Sequence, residues 1–270
     1  MVLPSSRPED ELALGRVREG LRPMRQTFTV VDGGRRVRLR VSRVGVGALL
    51  TRYGRFYQSE FEVSDRWRRY AVLFPGELGE RLLPRLDRGR ALPLRIDSGC
   101  DTGQTGGDLT CDCRAQLDRS LQRMARRHRG FVIRVPEQEG KGWGLHHKLA
   151  AHWLQEQLGI SNLEAVSRLD PGAELDQRTY GGVAAVLRSL GVPLGARLQL
   201  MTNNPEKVRG LEANGFRVVR EPLVIRPTPL TRLNLMAKQR VLHHIGLVPE
   251  EKEERRNAAG DARTRVPITA

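Results

Sequence analysis

The spacing of apolar positions changes along this chain, from strict alternation in the first third to a mixture of helical and strand periods beyond it. From Gln26 to Val44 apolar and polar residues alternate on both sides of Asp32-Gly33-Gly34. Two period-two runs joined by turn residues predict a β-hairpin. Its basic residues Arg36, Arg38, Arg40 and Arg43 are expected to face solvent from one side. That face reads as a solvated sheet surface, because the interleaved aromatics on which single-strand binders stack bases are missing. The run LLTRYGRFYQSEFEV from Leu49 predicts another hairpin, and WRRYAVLF before Pro75-Gly76 a further strand. A short helix is expected from Arg81 to Arg88 and a strand from Leu92 to Ile96. Leu117, Leu121, Met124 and Ala125 then form one helical stripe ended by Gly130, and FVIRV reads as a buried strand. Helices are expected over Leu145 to Leu158, Gln177 to Leu190, Pro205 to Asn214 and Thr231 to Ile245, with strands at 197–201 and from Phe216. The fold class this predicts is α/β, a layered mixed sheet flanked by helices with a β-rich N-terminal part. Residues 1–44 read as an extension, a tail with one helix followed by the hairpin; 45–247 read as the main domain and 248–270 as a charged, disordered tail. There is no internal repeat.

Composition narrows the class. With 39% hydrophobic and 29% charged residues, the 270-residue chain is an ordinary globule long enough for a substantial core. No apolar run reaches the roughly eighteen residues of a membrane span, and no signal-type stretch follows Met1. Free cysteines without an export signal lead to the expectation of a cytoplasmic protein. The formal charge of +15 suits a polyphosphate, nucleic acid or an anionic surface, and does not choose among them. Most of it is arginine, and lysine occurs only at 141, 148, 207, 238 and 252.

All three cysteines, Cys100, Cys111 and Cys113, lie in RIDSGCDTGQTGGDLTCDCRAQ between Arg95 and Gln116. Structural zinc sites usually close with four protein ligands, whereas three leave the open position that a catalytic zinc needs for water. Gly103, Gly106 and Gly107 let the loop fold back so that the sulfurs can converge. A disulfide or three unrelated buried thiols are the alternatives. Neighbours spaced Cys-x-Cys do not bridge easily, and an odd count leaves one thiol over.

RIDSGC, LTCDC with Gln116, QEGKGWGL, DQRTY and TNNPEK follow one another in the order that resembles GTP cyclohydrolase II. That zinc enzyme opens the guanine ring of GTP at the start of riboflavin synthesis. The resemblance runs from Val46 to Leu247. It implies one Zn2+ per chain on Cys100, Cys111 and Cys113, Mg2+ accompanying GTP, and a homodimer, with no membrane or nucleic-acid partner. It also implies substrate contacts from Arg95, Ser98, Gln116, Glu139, Gly140, Lys141, Asn162, Thr202 and Lys207. The domain for dihydroxybutanone phosphate synthesis that often precedes such enzymes is expected to be absent, because the N-terminal extension is too short for it.

Each motif also has a plainer meaning. The glycine-rich Glu139–Gly144 loop opens a helix, where backbone amides attract phosphate, although many such loops are only turns. Lys141 replaces the family's Arg, keeping the charge and losing the planar fork. In Thr202–Lys207, Asn204 and Pro205 fit a helix cap and its first position, so a capped helix is sufficient explanation until the resemblance sets Thr202 and Lys207 against the nucleotide. Asp176-x-Arg178-x-Tyr180 would ordinarily be a surface ion pair. The resemblance makes Asp176 a proton acceptor and Arg178 a nucleophile at the α-phosphate, whereas the chemistry of guanidinium favours clamping phosphoryl charge.

Four further departures from the family pattern stand out: Gly99 in place of Glu, Asn162 in place of Thr, a two-residue insertion between Glu164 and Asp176, and His152 in place of Tyr. Lys148 and His152, four apart, share a helix face. The expected reaction is attack of a zinc-activated water on C8 of the guanine, with release of formate and pyrophosphate and a 2,5-diamino-6-ribosylamino-pyrimidinone 5'-phosphate as product. Two alternatives remain open: a specialised paralogue that stops at the formamidopyrimidine nucleotide, and a non-catalytic basic protein that binds zinc and nucleotide.

Overall fold

In the computed structural model, which describes residues 8–87 and 89–248, the described residues are built on one mixed sheet of eight strands. After helix α1 (Pro8–Gly20), β1 (Met24–Asp32) and β2 (Arg35–Thr51) pair antiparallel. The two turn residues, Gly33 and Gly34, both have positive φ, the geometry that matches strand twist in a tight hairpin. β2 runs unbroken past position 44, so the hairpin is continuous with the main sheet, and β3 (Gly54–Val63) and β4 (Arg69–Phe74) extend it antiparallel. Arg36, Arg38 and Arg40 face solvent as expected, but Arg43 is buried. Residue 43 shares strand parity with buried Leu39 and Val41, and its guanidinium is satisfied by the carbonyls of Gly20 and Leu82.

The second half is parallel. β5 (Leu92–Asp97) is followed by the single-turn α2 (Asp101–Gln104), α3 (Cys113–Arg127) and β6 (Phe131–Arg134). Then come α4 (Leu145–Leu158), α5 (Asn162–Leu169) and α6 (Gly181–Ser189), then β7 (Arg197–Met201), α7 (Pro205–Glu212), β8 (Arg217–Glu221) and α8 (Pro229–Val241). The sheet order is β1-β2-β3-β4-β6-β5-β7-β8, with β4 joined antiparallel to β6 and the last four strands parallel. The carboxyl ends of β5, β6 and β7 therefore open on one side of the sheet, where open α/β folds place their ligands.

Several expected elements are revised. The helix proposed for Arg81 to Arg88 is a single 3-10 turn, Glu80–Leu82, because Pro84 lacks the donor and collides with the preceding turn. Arg88 lies outside the described residues. α6 begins at Gly181 rather than Gln177, since Gln177 and Thr179 are bonded into the site loops, through Gln177 N to Lys141 O at 2.9 Å and Gln138 Nε2 to Thr179 O at 2.7 Å. α5, too short for a periodic signal, is capped by Ser161, whose side chain accepts from Glu164 N. α8 ends at Val241, four residues before the expected Ile245. Of the expected tail, Val248 is buried and 249–270 lie outside the described residues.

The core forms around α6, in which every residue but Arg188 is buried, so the helix cannot remain at the surface. Val183, Ala184, Val186 and Leu187 are fully buried against Phe61, Tyr70, Val72, Ile96 and Leu198 of the curled sheet. A side chain the size of Val or Leu contributes about 1.5–3 kcal/mol when fully buried. α6 can come this close because it starts with two glycines: a Cβ on Gly182 would lie 1.9 Å from Tyr70 Oη and 2.1 Å from Asp65 Oδ2. Tyr70 Oη in turn donates to Asp65. Gly182→Ala is therefore expected to destabilise the fold by about 1–3 kcal/mol through overpacking. A lowered denaturation midpoint would register it, and an unchanged midpoint would contradict this packing.

Candidate active site

The cysteine loop is shaped by two glycines with no room for a side chain. Gly99 has φ +64°, and a Cβ there would lie 2.7 Å from Pro136 Cα, so any side chain at that position would be strained. At Gly103 a Cβ would lie 2.4 Å from Cys111 Sγ and 3.0 Å from Cys100 Sγ. The three thiols consequently converge, with all sulfurs within 4.8 Å of one another and Cys100 Sγ to Cys111 Sγ at 3.7 Å. Sulfurs arranged tetrahedrally at the usual Zn–S bond of about 2.3 Å stand about 3.8 Å apart. The donor set and its spacing fit a zinc ion with one position left open.

Charge compensation comes from α4. Lys148 Nζ donates to Cys100 Sγ at 3.1 Å, Thr102 Oγ1 at 2.5 Å and Glu139 Oε1 at 2.9 Å. Hydrogen bonds from Cys111 and Cys113, with Lys148 beside them, draw the Cys100 thiol pKa far below its ordinary value. The same sharing pushes Cys111 up to about 11 and raises Cys113 as well. Glu139 also accepts from Asp101 N at 2.7 Å, so it stands behind the loop as a brace rather than on the cavity wall. Asp97, at the end of β5, is a second brace: it accepts from Gln104 Nε2 at 2.9 Å and from Gly99 N at 3.1 Å, with Arg134 Nε at 3.6 Å.

Around this centre the structure gathers the other expected residues. Gly140 and Lys141 both adopt positive φ in the turn before α4, and Lys141 Nζ donates to Asn162 Oδ1. Arg95 reaches Met201 O at 3.1 Å and Gln116 Oε1 at 2.7 Å, and Gln116 Nε2 donates to Asp112 Oδ2 at 2.5 Å. Asp176 holds Arg178 by a fork, with Arg178 Nε on Oδ1 at 2.7 Å and Nη2 on Oδ2, while Arg178 Nη1 reaches Ser98 Oγ at 3.3 Å. Thr202 Oγ1 accepts from Asn204 N at 3.0 Å, and Lys207 Nζ donates to Ile96 O at 2.8 Å. One cavity is lined by the three cysteines, Lys141, Lys148, His152, Arg178 and Lys207 together. Asp176, like Glu139, sits behind that lining.

Its electrostatics are those of a site waiting for an anion. Burial, reinforced by Lys238 and Arg178, draws Lys141 down to about 7. Burial with Arg95 and Arg178 likewise holds Lys207 well below its ordinary value. For Arg178 burial works the same way, but Tyr180 and Asp176 outweigh it and its pKa lies above the ordinary value. His152, its Nδ1 3.7 Å from Asp108 Oδ2, is lowered by burial and Lys148.

Residues 43–222 match the protein family described as GTP cyclohydrolase II. The chain belongs to the GTP cyclohydrolase II family. The GTP cyclohydrolase-2 of Picrophilus torridus is 34% identical over 199 residues, 73% of this chain and 95% of that protein. A riboflavin biosynthesis protein RibBA from Salinispora arenicola is 37% identical over 216 residues, 78% of this chain and 47% of the relative. The chain thus spans about half the length of the Salinispora RibBA relatives that it matches. No described helix is long and apolar enough to cross a membrane. The GTP cyclohydrolase II match contains every motif singled out above and ends before α8, which nevertheless lines the cavity through Asn234, Leu235 and Lys238. Asp97 and Gln104 lie within the quoted cysteine stretch, but nothing in it announced them as braces, and no motif marked α8 as part of the site.

The lowered lysine at 141 has a thermodynamic signature. The folded chain releases that proton near pH 7, while an unfolded lysine holds it to about 10.4. Between those values the unfolded state binds more protons, so stability rises with pH. Lys141→Met is expected to exceed the wild type in urea midpoint at pH 6, with the gap closing by pH 10. Lys207 shares the direction of shift and retains part of the slope. A gap independent of pH would contradict the assignment.

Proposed function

We propose that this chain is a zinc-dependent GTP cyclohydrolase that opens the imidazole ring of GTP and releases formate and pyrophosphate, leaving a diaminopyrimidinone nucleotide monophosphate. The observation that carries this reading is the coincidence in one cavity of three thiols spaced for a single tetrahedral ion with the basic groups of buried Lys207 and half-buried Lys141 and Arg178. Zinc bound by Cys100, Cys111 and Cys113 supplies a Lewis acid that lowers the pKa of water to about 7. The printed names of the relatives, GTP cyclohydrolase-2 and riboflavin biosynthesis protein, support the substrate and a place in riboflavin synthesis.

The chain's own residues divide the remaining work. Lys148 keeps Cys100 ionised and fixes it against Thr102 and Glu139. Lys141 and Lys207 take the phosphates, which bring the negative charge these desolvated ammonium groups lack, together with the Mg2+ that accompanies a nucleoside triphosphate. Arg178 stays charged at any working pH, so it acts as a clamp on the α-phosphoryl group rather than as an attacking guanidine. Burial alone would raise Asp176, but Arg178 outweighs it and the carboxylate stays ionised. It orients the fork and is a weak base.

A second reading, in which the reaction stops after ring opening, is favoured by one pair of observations. His152 on the cavity wall has its pKa lowered from the ordinary value, and Gly99 offers no carboxylate. Formate release needs a second water aimed at the formyl carbon, a step sensitive to misplaced polar groups.

Wild-type protein purified without chelator is expected to carry one zinc per chain and to release one formate per GTP. Cys111→Ser should lose the zinc, keep its circular dichroism and drop formate release at least about a hundredfold. Metal-free wild-type protein that still turns over GTP would refute the proposal. Ring-opened product retaining its formyl group would select the second reading, and in that case His152→Tyr should raise formate release.

A further inference from the structure

The chain beyond the family match does not drift away from the site. α8 is fastened to it at two points: Asn234 Nδ2 donates to Thr110 O at 3.2 Å in the cysteine loop, and Asn234 Oδ1 accepts from Asn162 N at 2.8 Å. Lys238 Nζ lies 3.9 Å from Asp112 Oδ1, between two of the thiols. After Val241 the chain reverses, with His243 and Gly246 at positive φ. Gln239 holds the returning strap, its Oε1 accepting from Leu247 N at 2.8 Å and Val248 N at 2.9 Å, and Leu247 and Val248 pack against Leu235. Ile245 N donates to Asn203 O at 2.9 Å, so the strap is tied directly to the Thr202–Lys207 motif.

Between these ties the strap carries His244 into the cavity wall. Its Nε2 is buried and has no hydrogen-bond partner among the described residues. Leaving a buried ring nitrogen unsatisfied is costly, so an atom held in this way calls for a ligand. The charges that its ring feels are Arg178, Lys238 and Lys207, opposed by Asp176. Burial and those cations hold the imidazole neutral, with a pKa of about 3, so the ring has one N–H to donate. Among three cations, the atom that can accept that donation and remain stable is an anionic oxygen.

We propose that the strap from Leu242 to Val248 is a wall of the nucleotide cavity and that His244 donates from Nε2 to the polyphosphate chain of the nucleoside triphosphate, alongside Arg178, Lys207 and Lys238. This deepens the reading of the cavity as a GTP site and rests on it. It also gives α8 a task beyond packing, because Lys238 and His244 reach the cavity only while Asn234 and Gln239 hold the helix and strap in place.

The test is calorimetric titration of zinc-loaded full-length protein with inorganic triphosphate and, separately, with guanosine, which offers the base without phosphate. His244→Leu, close in size and without a donor, should weaken triphosphate about tenfold and leave guanosine within about twofold, the scale of one hydrogen bond to a charged acceptor. His244→Ala serves as a second loss variant. His244→Gln, whose side-chain N–H can reach the same place, should recover most of the affinity. Equal triphosphate affinity in wild type and both loss variants, or equal weakening of triphosphate and guanosine, would overturn the proposal, as would a wild type that does not bind triphosphate. A wild type that binds triphosphate but gives no ring-opened product from GTP would refute the reaction, while the titrations would still decide the place of His244.

Discussion

Three sulfurs must stand within a few ångströms of one point, and that demand governs the surroundings of β5. A second or third thiolate beside the first is electrostatically costly until a metal or a cation compensates it. Lys148 supplies a permanent cation, positioned by the carboxylate of Glu139, which itself closes on the backbone of Asp101. Gly103 and Gly99 remove the side chains that would otherwise hold the loop open. Asp97 and Gln104 then lock the loop to the end of the strand. Removing any one of these would loosen the geometry of all three ligands.

A second constraint works against the first. Lys141, Arg178, Lys207 and Lys238 surround the same cavity, and packing like charges into a desolvated space destabilises the empty fold. The arrangement makes sense as preorganisation: the energy held in mutual repulsion is released when phosphate oxygens arrive, and the donors need no rearrangement to meet them. The unsatisfied Nε2 of His244 and Nε of Arg95 belong to the same pattern, polar atoms left unpaired where a ligand would pair them.

How far all this could be read in advance depended on the kind of signal. The Asp32-Gly33-Gly34 hairpin, the α3 stripe and the β7 strand were legible because period and turn chemistry agreed locally. The cysteine trio was legible because thiolates are few and their arithmetic is restrictive. Arg43 was misread because its charge was given more weight than its strand parity. The helix over 81–88 fails at Pro84, and α6 begins four residues later than expected because long-range bonds to Lys141 and Gln138 keep 177–179 out of the helix. The α8 strap depends on contacts between residues distant in sequence, such as the bond from Asn234 to Thr110 O, and no local pattern encodes those; the bond from Gln104 to Asp97 spans only a loop, but no period or turn rule specifies it.

The central claim is that Cys100, Cys111 and Cys113 hold one zinc and leave a single position free for water. Zinc-edge X-ray absorption on the loaded protein tests this most directly. The account predicts three sulfurs at about 2.3 Å and one lighter oxygen or nitrogen neighbour at about 2.0 Å. A four-sulfur shell, or a shell of oxygen and nitrogen alone, would contradict it.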